Sequence, residues 1–528
     1  MKLVRLIAAF MVAGASMGCN PWAVKPPPTG GTLTIRLKSD VPLLNPLVND
    51  LPSRRVMGLM FAGLTRLDAG LRVQPDLAKS WELSSSGLVW TFHLRDNLRW
   101  HDGTPLTIED VAHTYRYLMQ GEPATIVQSD LLNVVEAIEI VDKQSIRFTL
   151  RRAFSPLFVD TTTPIVPKHI WNELANPGRA TVVVGSGPFK LAEHVPGQAI
   201  MLDANPEYYG GRPYLDRVAI MFGGESATMQ AIDSGQLLLA EVDVGSVPGL
   251  PVSYGRHSYS EIGYNYVGFN LREGRLMADR NLRLAWSMAV DKQNIVAAAT
   301  GGKGQEIWGP VTPGSWADDY SLSPTIRNVE AARKLMDDSG WRDSNGDGVA
   351  DKDGRPLSVE LLVRADARDR VTAAQLMAKQ LREAGFDVRV TPADFSTVMA
   401  ARRKPPFDFD AMIMGWELGM DPDSYYLFAS AQIPAEGKTG LLNYVGFKNG
   451  EYDRLAIEAR TTMDYGRRKD LYARIQALLA DELPYYFLWS EQTHLAASPR
   501  LQGPISLDSP MFLWNVEKWY FDGPTRSL

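Results

Sequence analysis

Residues 88–119 constrain this chain more than any other stretch. Leu88, Trp90, Phe92 and Leu94 alternate with Val89, Thr91, His93 and Arg95, so a pleated strand here carries one apolar face and one mixed face. Asp96-Asn97 and then His101-Asp102-Gly103 break the alternation with side chains suited to tight turns. Thr107, with Asp110 three residues on, reads as a capping-box-like helix start. Val111, Tyr115, Leu118 and Met119 follow at i, i+4, i+7 and i+8, one stripe facing a core. A half-buried strand and an amphipathic helix so close together predict a shared α+β layer.

A single core rarely grows beyond ~250–300 residues, and this chain has 528 residues with 45% hydrophobic content. Two or three domains are therefore expected. The net charge of -6, with 55 basic residues spread along the chain, leaves no electrostatic footprint for nucleic acid. Thirteen Trp and nineteen Tyr are generous; most belong to cores, but aromatic rings also suit ligand clefts. Cys19 is the one cysteine, which excludes an intrachain disulfide and a cysteine-based metal site. Lys2 and Arg5 precede an apolar run over residues 6–15, the plan of a secretory signal and too short to cross a bilayer, which takes ~20 residues. Ser16-Met17-Gly18-Cys19 resembles a bacterial lipobox, with Ser16 where Leu is usual. Cys19 is thus the expected lipidation site, and cleavage without lipidation is the alternative. Residues 20–31 hold four prolines and two glycines and read as a stiff tether.

The segment Trp100-His101-Asp102-Gly103-Thr104-Pro105-Leu106-Thr107-Ile108-Glu109-Asp110-Val111 resembles the signature of the family 5 extracellular solute-binding proteins, the oligopeptide and dipeptide receptors of ABC importers. Further segments resemble that family in its own order. They are the strand over 32–37 with Leu44-Asn45-Pro46, the run 74–82, Gly185-Ser186-Gly187-Pro188-Phe189, Asn205-Pro206-Glu207-Tyr208-Tyr209-Gly210-Gly211, and the helix over 280–290. The resemblance implies an α/β, periplasmic-binding-protein-like bilobed fold (class II, cluster C type) with an extra α+β domain. It implies a signal peptide over 1–18, a lipid-anchored linker over 19–31, lobe I from 32–64, 185–270 and 496–528, an inserted domain II over 65–184, and lobe III over 271–495. The implied function is capture of a solute, foremost a peptide or peptide-like molecule, by hinge closure and delivery to ABC transporter permease subunits. Such a protein is exported, lipid-anchored in the cell envelope, monomeric and not an enzyme. The alternatives are a sensor or adhesin without an importer, a receptor for oligosaccharide or metal chelate, and a secreted hydrolase.

The residues support an α/β region independently. Residues 359–364 read as a buried strand, 371–384 as a helix closed by Gly385, and 386–390 as a second strand, giving a βαβ unit with parallel strands. Residues 409–416 and 485–489 read as further strands and 466–481 as a helix; 135–141 and 145–150 read as a hairpin.

No catalytic signature stands out. Gly14-Ala15-Ser16-Met17-Gly18 fits a hydrolase elbow pattern but lies in the leader, and the seven histidines lack ligand spacing. Asp343, Asn345, Asp347 and Asp351 form the most metal-like loop, suited to calcium. Its twelfth residue is Gly354 instead of a bidentate Glu, so a solvated Asx-Gly turn is the competing reading and calcium the one cofactor considered. For ligand contact the segment 415–426 is preferred: Trp416, Glu417, Asp421 and Asp423 follow a strand at the carboxyl edge of an α/β sheet. For the two aspartates the alternative is local, Asp421 capping a helix with Pro422 at its first position. The resemblance adds Asn45, Tyr264 and Tyr266 near the cleft. It also implies an aspartate on the 415–426 loop that pairs with a peptide's free amine; here that position is Gly419 or Leu418, so the acid is missing.

Overall fold

The computed structural model describes residues 27–47, 51–120, 126–171, 181–319, 321–322, 325–435 and 441–522, excepting the side chains of 51 and 126–129. The leader, Cys19 and most of the tether lie outside these residues. The frame is one twelve-stranded sheet. One half runs through Asp387–Ala393, Ser358–Arg364, Ala411–Glu417 and Gly263–Phe269; the other through Leu239–Val242, Thr32–Leu37, Arg217–Phe222, Ala199–Ala204 and Phe189–Val195. Between them lies Tyr485–Ala497, whose first residues pair antiparallel with Gly263–Phe269 and whose last pair with Gly255–Ser260 and Leu239–Val242. This is a bilobed α/β fold strung on a shared strand.

The strand expected over 485–489 therefore continues to Ala497. Glu491, Gln492, Thr493 and His494 interrupt its apolar pattern where it leaves one core and enters the next, and none of the four is fully buried. The βαβ unit forms as its periodicity predicts. Ser358–Arg364 pairs in parallel with Asp387–Ala393, and Gly385 ends the intervening helix Arg368–Ala384 at φ 104°, a conformation open to glycine.

The stretch at residues 88–119 builds a separate four-stranded antiparallel sheet: Ala78–Leu83, Val89–Leu94, Ser145–Leu150, Val135–Ile140. Helix Ile108–Leu118 covers it, started by the Thr107 N–H donating to Asp110 Oδ2 at 2.8 Å. Trp90, Phe92, Tyr115 and Phe148 are wholly buried between them. The Gly185-Ser186-Gly187 turn is explained by crowding: an added Cβ would lie 2.0 Å from Met60 O at Gly185 and 2.6 Å from Met60 C at Gly187. The tail returns to the first strand, with Phe512, Val516 and Trp519 buried in the cluster that holds Leu33 and Ile35. Among the described residues no helix is long and apolar enough to cross a membrane.

Candidate functional site

The two halves meet along a seam in which the segment that follows strand Ala411–Glu417 takes part, Tyr426 reaching Asp130. Trp416 opposes Tyr264 in register, and its ring lies 6.4 Å from and nearly parallel to Tyr266, which stacks on Tyr485 at 3.8 Å. The indole Nε1 donates to Tyr485 Oη at 3.3 Å, and Tyr266 Oη is 3.1 Å from Tyr444 Oη. Trp416 is half-buried, whereas Tyr264 and Tyr266 are buried behind it; burial holds both phenols well above their ordinary pKa. Of the aromatic candidates, Trp416 is the one with ring surface to offer, and the tyrosines buttress it. Asn45 is fully buried, its Oδ1 accepting from Leu47 N at 2.9 Å to shape the Leu-Asn-Pro turn. Glu417 is exposed.

Asp421 and Asp423 both point inward to arginines. Arg468 Nη2 donates to Asp421 at 2.9 and 3.0 Å, and Arg460 Nε lies 3.0 Å from Asp423 Oδ2. The guanidinium of Arg460 sits 4.1 Å from the Tyr425 ring and 5.0 Å from those of Phe154 and Tyr426. The helix-cap alternative for Asp421 is corrected: the short helix is Tyr425–Phe428, with Ser424 at its cap. Asp421 accepts locally from Asp423 N at 3.1 Å, outside any helix, and pairs with Arg468 on a helix 47 positions away.

From across the seam come acids that no local pattern announced. Tyr426 Oη donates to Asp130 Oδ1 at 2.7 Å, and Asp160 ends the short helix Leu157–Asp160 close by. Burial pushes Asp130 up to about 6 against the Tyr426 hydrogen bond, and Asp423 and Asp421 add to the rise. Burial likewise holds Asp160 well above the ordinary carboxylate range, with Asp130 and Asp421 reinforcing it and Arg54 opposing. Burial raises Asp423 despite Arg460. The available signal was an acid at a position the surrounding apolar residues mark as interior: Asp160 after Leu157-Phe158-Val159, and Asp130 before Leu131. Backbone contacts close the seam further, Ser155 N to Arg460 O at 2.7 Å and Trp316 N to Gly70 O at 3.1 Å.

Beside these acids is a cavity of about 140 Å³ whose wall includes Leu47, Arg54, Met57, Thr162, Thr163 and Trp514. Arg66, in salt bridge with Glu517 at 3.1 Å, and Asp76, bonded by Tyr209 Oη, also reach it. The chain passes between the halves at Ser260–Gly263 and Ser490–Gln492. There Glu261 N donates to Glu491 O at 2.8 Å and Ser490 Oγ to Glu261 O at 2.8 Å. Two short antiparallel connections of this kind let the halves swing while each stays rigid.

The Asp343 loop turns its oxygens onto its own backbone. Asp343 accepts from Gly346 N, Asp347 N and Gly348 N, Asp347 from Val349 N, and Asp351 from Ser344. Asn345 bonds Asp347 through both backbone and side chain. Among the described residues no group of three or more His, Cys, Asp or Glu is placed to hold a metal.

Comparison with known proteins agrees with this architecture. Residues 72–434 match the family described as bacterial extracellular solute-binding proteins, family 5 Middle. The chain is 29% identical to the oligopeptide-binding protein AppA of Bacillus subtilis over 98% of both chains. It is 28% identical to the probable D,D-dipeptide-binding periplasmic protein DdpA of Escherichia coli over 82% of each. Among solved structures, AppA from Bacillus subtilis in complex with a nonapeptide superposes with a TM-score of 0.69 at 30% identity, covering 94% of this chain and 100% of that one. NikZ of Campylobacter jejuni in complex with Ni(L-His) gives 0.69 at 25% identity over 93% and 99%. With the match spanning well over half its length, this chain belongs to the bacterial extracellular solute-binding proteins, family 5.

Proposed function

We propose that this protein is the capturing subunit of an ABC importer, which closes its two halves around a peptide or peptide-like solute outside the cytoplasm and passes it unaltered to membrane permease subunits. The observation that carries this reading is the end-to-end correspondence with the oligopeptide-binding protein AppA, over 98% of both chains. A ligand bridging both halves favours the shut form, which a permease can then distinguish from the open one. Trp416 supplies an aromatic contact, with Tyr264 and Tyr266 holding the wall behind it, and Asn45 shapes the Leu-Asn-Pro turn of the other half. Asp421 and Asp423 act through Arg468 and Arg460, whereas exposed Glu417 is free to meet the solute directly. The division into lobe I, inserted domain II and lobe III, with the boundaries given above, belongs to the same proposal. So does a lipid at Cys19 that keeps the protein at the membrane surface.

Calorimetric titration with peptides of two to nine residues, an oligosaccharide series and Ni(L-His) tests the reading. Micromolar binding of peptides, about -8 kcal/mol, with the peptide recovered intact, is the expected result. Saturable binding of Ni(L-His) or sugars alone would replace the peptide with that ligand class, and turnover of any ligand would overturn the non-catalytic role. Cys19→Ala is expected to move the protein from the membrane to the soluble fraction of the producing cell.

A further inference from the structure

The chain crosses between the halves at residues 260–263 and 490–492, and a third segment lies against those crossings. It is the short strand Gly304–Glu306, which pairs antiparallel with residues 489–491 and sets Gln305 opposite Ser490. Trp489 has Glu306 and Asn265 as its two neighbours, so Gly304–Glu306 and Gly263–Phe269 lie on opposite flanks of strand Tyr485–Ala497. Two positions further along that strand, Gln492 stands opposite Ser260, the last residue of Gly255–Ser260 in the first half. The Gln305 side chain spans this step. Its Oε1 accepts from Ser260 Oγ at 2.5 Å and from Gln492 Nε2 at 3.3 Å. The backbone adds a second link, Gln492 N donating to Lys303 O at 2.6 Å. Ser260 is only 3% exposed, so its hydroxyl has little water to turn to when the Gln305 oxygen withdraws.

Both ends of the side-chain link are held. In the first half, Glu261, next to Ser260, accepts from Thr493 Oγ1 at 2.7 Å and from Arg55 Nη2 at 3.5 Å. Arg55 in turn pairs with Glu241 at 3.0 Å, and its guanidinium lies 4.9 Å from the Tyr259 ring and 5.2 Å from that of Phe512. In the second half, buried Lys292 donates to Ile307 O at 3.0 Å with the Trp308 ring 3.4 Å away, and Ile307 N donates to Leu488 O at 3.2 Å. A swing between residues 490 and 492 therefore moves Gln305 against Ser260, and the displacement falls on the link. The halves touch in this structure, at Ser155 and Arg460 and at Tyr426 and Asp130, so the link belongs to the shut form. We propose that Gln305 is a latch on the hinge: its side chain grips Ser260 and Gln492 across the crossing when the halves are shut and lets go as they part. Gln305 is a positioning residue, acting through the hinge and not by touching the solute. Because a solute bridging both halves needs the shut form, the share of molecules that the latch keeps shut enters directly into the affinity. The latch rests on closure around a solute, not on that solute being a peptide.

The test is small-angle scattering of the full chain, free and with penta-alanine, together with calorimetric titration of the same peptide. Both are run on wild type, Gln305→Met, Ser260→Ala and the variant carrying both substitutions. Methionine keeps the bulk of Gln305 and removes the oxygen that accepts from Ser260 and Gln492. Free Gln305→Met is expected to have a larger radius of gyration than free wild type, and the two to reach the same radius at saturation. Losing a hydrogen bond of this kind lowers the ratio of shut to open molecules about fivefold, and penta-alanine is expected to bind weaker by about that factor. Ser260→Ala is expected to shift both readouts in the same direction, and the double variant to go no further than Gln305→Met, as for two residues that share one interaction. A purely structural role would lower the melting temperature without enlarging the folded, free protein. An unchanged radius in free Gln305→Met, or effects of the two substitutions that simply sum, overturns the proposal. Should Gln305→Met fail to fold, the radius of free Ser260→Ala decides. Absence of penta-alanine binding counts against the peptide reading alone, and the radii of the free proteins then decide on the latch.

Discussion

Arg468 shows how a single side chain can anchor the loop of greatest functional interest. It is 2% exposed, donates to both oxygens of Asp421 and to Ala459 O, and touches Tyr472 Oη at 3.1 Å. Removing one member of a buried pair leaves the other charge without compensation. Arg468→Met is therefore expected to lose about 3–5 kcal/mol in urea denaturation, and adding Asp421→Leu to recover part of it. Asp76 makes the corresponding case for pH. Burial pushes it from 3.8 to about 6, against the pull of Arg66 and the Tyr209 hydroxyl. Between those values the folded protein keeps a proton that the unfolded chain has released. The contribution of Asp76 is thus fully present below about pH 4 and is lost as pH rises through 6, by up to about 3 kcal/mol. The stability of wild type relative to Asp76→Asn, measured by denaturant titration at each pH, is expected to fall over that interval; a flat difference would contradict the assignment. These residues were poorly legible in the sequence. The aspartates of the 415–426 loop stood out as a cluster, but their partners lie on helices Gly450–Thr461 and Tyr465–Glu482, chosen by packing and not by spacing.

Elements with a clear period were readable in advance. The alternation of residues 88–94 is strand Val89–Leu94, the 108–118 stripe is a helix, and the hairpin and βαβ unit form where turns and apolar runs place them. The apolar pattern marks only residues 485–489 of strand Tyr485–Ala497, because a strand that serves two cores loses that pattern at the crossing. Gly263, at the start of the neighbouring strand and in register with Glu417, shows the crowding beside that crossing: an added Cβ would lie 2.4 Å from Trp416 O. Gly263→Ala is expected to cost roughly 1–3 kcal/mol by overpacking, and to weaken ligand binding because the displaced group is the Trp416 backbone. Thermal denaturation and calorimetry check the two effects separately.

At the scale of the molecule, the halves touch directly through Ser155 and Arg460, Tyr426 and Asp130, and Trp316 and Gly70. One apolar cluster runs from the four-stranded sheet at Trp90, through Phe158 of the short helix Leu157–Asp160, into the opposite half at Phe428 and Tyr452. Such a contact is worth forming when a solute joins it and has to part for the solute to enter. Small-angle scattering is expected to show a larger radius of gyration for the free protein than for the protein saturated with a binding peptide. An unchanged radius at saturation would argue against a swing at Ser260–Gly263 and Ser490–Gln492.

By itself the sequence determined what is local or carried in order: the strand and helix periods, the glycine turns, and the series of motifs that resemble one family. Those depend on neighbours within a few residues, where periodicity and backbone sterics act. Only the tertiary structure decided which charges meet. Asp421 and Arg468 are 47 positions apart, and Asp130 and Tyr426 are 296 apart. The preference of a buried acid for a partner is set by which elements the fold brings together in a low-dielectric seam, and no short-range pattern encodes that neighbour.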